Sequence, residues 1–144
     1  MVRAALTMFK HVYWTLLIGT CLYALWRGQR EERLASLICL VATVATIGFA
    51  RPHATRYFQV ERSDLLIDLA VLLLFVAIAL RSPRFWPLWI AGLQLTTTGA
   101  HLAKEASTGL LPPVYAAAER IWSYPILIIL LVAVWRGHRR AAMS

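Results

Sequence analysis

"LLIDLAVLLLFVAIALRSPRFWPLWIAGLQLTTTGAHL", Leu65 to Leu102, decides the fold. It divides into two apolar runs, Leu65–Leu80 and Phe85–Leu102, about a short Arg-Ser-Pro-Arg turn. A strand isolated in lipid would leave its backbone groups without partners, so both runs read as helices. The reading is a helical hairpin inside a bilayer. One observation then asks for an explanation: the second helix carries a glutamine, three threonines and a histidine close together.

The rest of the chain agrees with the hairpin. Of its 144 residues, 60% are hydrophobic, with mean hydropathy +0.63. A soluble domain holds about 45–50% apolar residues, and a chain this small has too much surface to bury the excess. A soluble helical bundle with an oversized core is the weaker alternative. Three further runs, Phe9–Trp26, Leu34–Ala50 and Ile121–Trp135, complete the set. Several fall short of the ~20 residues a span prefers, and aromatic and arginine flanks make up the difference. The expectation is an all-α polytopic bundle of five spans, with four as the alternative count, in a single integral membrane domain over residues 1–144. The first run lacks a small-x-small cleavage site, so it reads as a span rather than a removable signal. "LLPPVYAAAER" reads as a stop followed by a short interfacial helix after Pro112–Pro113, and Pro125 as a kink in the last span.

Tryptophans 14, 26, 86, 89, 122 and 135 stand at or near the span ends, as in interfacial aromatic belts. The net charge of +8 comes from arginines clustered between apolar runs, without the basic and aromatic stripe of a nucleic-acid groove. The partner it implies is a bilayer, not nucleic acid. Five spans put Arg27, Arg30, Arg33, Arg81, Arg84, Arg136, Arg139 and Arg140 on one side. Arg3, Lys10, Arg51, Arg56, Arg62, Lys104 and Arg120 fall on the other. The first set lies in the shorter loops, directly against the spans, where the positive-inside rule acts most strongly. This favours the N-terminus outside and the C-terminus in the cytoplasm of a bacterial inner membrane.

Gln94, Thr97, Thr98 and His101 recur at i, i+3, i+4 and i+7, on one helical face. Asp64 and Asp68 share a face of the preceding span. Counting equal distances from the turn sets Asp64 near the depth of His101 and Asp68 near Thr97. These six residues form a candidate polar or ion site, since an ionisable residue within a span usually faces the bundle interior. Three chemistries compete for it: a structural polar cluster, which is favoured, a proton or ion pathway, and metal or haem ligation. His11 and His53 reach the same side as His101, which makes His11, His53 and His101 the metal candidates, although no closed motif such as HExxH is present. The plain readings are a helix-start role for Asp64, threonines bonded within their own helix, and histidines at the headgroups.

Gly92, Thr96 and Ala100 recur every four residues, with Gly99 beside them, the small-residue pattern that lets helices approach closely. Packing within the bundle is favoured over docking of a partner or second copy. Cys21 and Cys39 fall at similar depth on adjacent helices and read as packing residues rather than a disulfide.

The run from Asp64 to His101 resembles uncharacterised small polytopic bacterial inner-membrane proteins in its Asp-bearing span, Arg/Trp/Pro/Trp hairpin, Gln and His. The resemblance covers the middle third of the chain and points to Asp68, Trp86, Pro87, Trp89, Gln94 and His101. It implies no activity and no cofactor. The leading expectation is an accessory or interaction subunit that works through helix contacts with another membrane protein or itself. The alternative is proton or ion transport, or metal or haem binding, at the outer-leaflet Asp/His cluster. A membrane enzyme acting on lipid or quinone stands third, because no activated nucleophile is visible.

Overall fold

Helices form where the apolar runs stand, and most extend beyond them. The computed structural model describes residues 1–49, 57–106 and 112–144. It holds α1 (Val2–Arg27), α2 (Arg30–Phe49), α3 (Tyr57–Arg81), α4 (Trp86–Ala106) and α5 (Pro112–Met143), with no strand among the described residues.

The helix ends follow from local chemistry. Gly28 closes α1, its N–H donating to Ala24 O at 2.8 Å. An added Cβ there would run into that same carbonyl. Gln29 then caps α2, and Glu32, at the third helical position, reaches back to accept the Gln29 N–H at 2.6 Å. This is the carboxylate half of a capping box. Proline suits a first helical turn, where its missing donor costs nothing, and both α4 (Pro87) and α5 (Pro112, Pro113) use it there.

The separate interfacial helix expected after Pro112 merges with the last span. Nothing in "VYAAAER" stops a helix, since alanine and glutamate sustain one. α5 therefore runs 32 residues with Pro125 inside it.

The contacts fix the arrangement. α1–α2 and α3–α4 are antiparallel hairpins: Tyr13 pairs with Thr43, and Cys21 Sγ donates to Ser36 O. α5 lies parallel to α1. Tyr124 donates to Phe9 O at one end, while Gly137 lies against Glu32 at the other. The helices close a ring in the order α1, α2, α3, α4, α5, and α5 also reaches across to α2.

α5 supplies both halves of the core. Ile126 and Leu130 pack with Ala35, Val71, Phe75, Ile90 and Ala91, while Leu127 packs with Leu17 and Cys21. Cys39 borders both clusters, and both cysteines are free thiols. The outside also carries many large apolar side chains. Leu66, Leu73 and Leu80 form one exposed stripe along α3, with exposed Val41 and Val44 on the neighbouring α2 and exposed Leu22 on α1. An apolar surface of this extent marks contact with something other than water. Three helices are long and apolar enough to cross a membrane: Arg30–Phe49, Arg62–Arg81 and Ile121–Met143.

Candidate functional site

The polarity of α4 divides between two opposed faces. On the inner face, Gln94, Thr97 and Thr98 are buried and His101 is half-buried. His101 Nε2 lies 2.9 Å from Asp68 Oδ2, and Gln94 Nε2 donates to Asp68 Oδ1 at 3.1 Å. A longer contact joins Gln94 Nε2 to the Asp68 carbonyl at 3.4 Å. Asp68 thus takes partners from positions seven residues apart on α4. Their midpoint is the level of Thr97, where the count from the turn sets Asp68.

His101 reaches Asp68, one turn nearer the hairpin than the Asp64 that the count sets at its depth, because helical side chains lean toward their own N-terminus. In an antiparallel pair the two side chains lean toward each other. Asp64 sits one turn earlier on α3 and is half-buried.

The threonines keep to their own helix. Thr97 Oγ1 donates to Leu93 O at 3.2 Å and Thr98 Oγ1 to Gln94 O at 2.9 Å, each four residues back. This is the local bonding that lets a hydroxyl sit in an apolar span. Asp68, Gln94 and His101 make cross-helix polar contacts on this face. Chemically, the pair is a carboxylate facing an imidazole nitrogen: an ion pair when His101 is protonated and a site able to hold one proton in either case.

On the outer face, Gly92, Thr96 and Gly99 are exposed and Ala100 is half-buried. The fold turns this small-residue series away from the bundle, where packing against a neighbour was the favoured expectation. Among the described residues, an added Cβ at Gly92 or Gly99 would meet nothing within 4 Å. Thr96 Oγ1 donates to Gly92 O at 3.1 Å, so the one hydroxyl of this series is satisfied within its own helix. Beside Gly92 runs a groove of about 400 Å³ lined by Phe85, Leu88, Trp89 and Leu93.

Of the metal candidates, His11 is exposed on α1 and His53 lies outside the described residues. Among the described residues, no three His, Cys, Asp or Glu side chains stand close enough to hold a metal ion.

A second polar cluster, at the opposite end of the bundle, is one the sequence reading passes over. Glu32 is fully buried, and its Oε1 accepts from Arg84 at 2.8 Å. Arg84 also donates to Gln29 Oε1. Ser82 Oγ donates to Glu31 Oε2 at 2.7 Å. Gly137 closes the cluster from α5: a Cβ there would lie 3.1 Å from Glu32 Oε1. The signal was available in the glutamate three residues after Gln29, in a loop predicted on the same side as Arg84. Its setting in "RGQREER" hid it among apparently solvated charges. No protein-family model matches the chain, and neither a curated protein nor a solved structure matches it.

Proposed function

We propose that the chain is a five-span protein of a bacterial cytoplasmic membrane, with its N-terminus outside, that binds a transmembrane helix of another subunit or of a second copy. α1 and α4 support the five-span count, since they are about 39 and 31 Å long at ~1.5 Å per residue and run beside the other three helices. Each also forms a tight hairpin with an apolar neighbour.

One observation carries the reading. The small residues of α4 face outward, with open space above Gly92 and Gly99 and an apolar groove alongside. In lipid, helix association depends on close backbone approach and van der Waals packing, which such a face permits. The inner polar set then has a supporting role: Asp68, Gln94 and His101 fix the rotation of α4 so that its small residues point out.

The test is recovery of complexes after gentle solubilisation. A Cβ at Gly92 or Gly99 has nothing within 4 Å among the described residues, so in Gly92→Leu and Gly99→Leu folding and melting should be unchanged while the assembly is lost. Two differently tagged copies that co-purify identify the partner as the chain itself. Unaltered assembly in both variants would end the proposal.

A second reading, proton or ion passage, has its own support in the 2.9 Å contact between Asp68 and His101 within the spans. Reconstituted vesicles with an internal pH dye would then show a flux that His101→Leu abolishes. Equal flux in both proteins, or none in either, removes it.

A further inference from the structure

The end of α5 carries an arrangement that helix docking does not use. Arg136, Arg139, Arg140, Trp135 and Met143 line one groove of about 300 Å³. Like charges four apart on a helix repel, so Arg136 and Arg140 together are unfavourable unless an anion lies between them. Nearby carboxylates do not serve. Eight arginines and only two of the chain's seven acidic residues, Glu31 and Glu32, belong to this end of the helices. Glu31 is engaged by Ser82 and Glu32 by Arg84.

The Arg139 guanidinium lies 5.1 Å from the centroid of the Trp135 ring. Stacking of this kind leaves the in-plane N–H groups of the fork free for a phosphate. On the opposite side of Trp135, Val132 and Ile128 continue the same helical stripe, both exposed and apolar. The groove thus joins a cationic head to an apolar track leading back along the span. At about 48 Å, α5 outruns the ~30 Å hydrocarbon layer, which places the arginines at headgroup level.

We infer that this groove binds the headgroup phosphate of an anionic phospholipid, with an acyl chain lying along Trp135, Val132 and Ile128. A free phosphate ion would explain the arginines but not the apolar track. The inference rests on the membrane reading.

The purified protein is equilibrated with phosphatidylglycerol, phosphatidylcholine or inorganic phosphate, and retained ligand is read by native mass spectrometry. Wild type should retain phosphatidylglycerol over phosphatidylcholine, and less of it as salt is raised. The triple variant Arg136→Gln, Arg139→Gln, Arg140→Gln should bind it about a hundredfold more weakly, at about fivefold per arginine. Its three side chains are exposed, and an unchanged melting temperature verifies its fold. Should the triple variant fail to fold, the wild-type lipid preference and salt dependence still decide. Equal retention of the two lipids, or equal binding by a folded variant, overturns the inference. So does inorganic phosphate held as tightly as the lipid. If wild type instead fails to insert into vesicles of either lipid, the membrane reading itself falls first.

Discussion

Thr20 and Asp68 are both polar groups within apolar helices, and they should respond to removal in opposite ways. Thr20 Oγ1 is buried without a hydrogen-bond partner among the described residues. Thr20→Val, which replaces the hydroxyl by a methyl of similar shape, should stabilise the protein by about 1 kcal/mol, since an unsatisfied buried donor costs about that or more. Thermal melting in detergent measures it, and a lower melting temperature would mean that the hydroxyl has a partner after all. Asp68 is the acceptor for two α4 side chains, so Asp68→Leu takes a partner from each of His101 and Gln94, at about 1–3 kcal/mol. His101→Leu should cost a similar amount, and the double change less than the sum of the two. Strict additivity would show that the contact contributes nothing to stability.

At the scale of helices and turns, the buried Glu32 decides how the two short loops meet α5. Arg84→Leu leaves its carboxylate buried without a counter-charge and should cost about 3 kcal/mol, whereas Glu32→Leu with Arg84→Leu should cost much less. Gly137→Val should also lower the melting temperature, because a Cβ would stand 3.1 Å from Glu32 Oε1. Gly19→Val is its control, as an added Cβ there would meet nothing within 4 Å among the described residues. Equal melting of the two valine variants would mean that α5 is not held against the carboxylate. These elements also show what is legible in a sequence. Asp68 interrupts an apolar run, so its need for a partner is visible at once, and helical spacing points to the face that supplies one. Glu32 sits among charges, where burial leaves no mark in composition; only three helix ends meeting in space enclose it. The direction of Gly92 and Gly99 was hidden for a related reason. A small-residue pattern gives the closeness of an approach but not whether the neighbour belongs to the same chain.

For the whole molecule, alternating helices place residues 1 and 144 at opposite ends of the bundle. With the arginine-rich turns in the cytoplasm, a C-terminal fluorescent reporter should glow and a periplasmic phosphatase fused there should be inactive. The reverse pattern would invert the orientation and carry Asp68 and His101 to the cytoplasmic half. The all-α architecture was readable from the apolar runs, because the bilayer expected around them would leave a helix as the form open to them. The equal standing of the five runs was not, since only α2, α3 and α5 hold a described stretch long and apolar enough to cross a membrane. In α4 the polarity belongs to the inner contacts of Gln94, Thr97, Thr98 and His101. The place of α5 in both core clusters has a consequence for synthesis. Four helices leave the ribosome before the one that closes them, and until then Leu17, Phe75 and Ile90 lack the apolar neighbours α5 brings. A ribosome stalled before residue 121 would release a chain with an open apolar seam, a ready substrate for the proteases that clear unfinished chains.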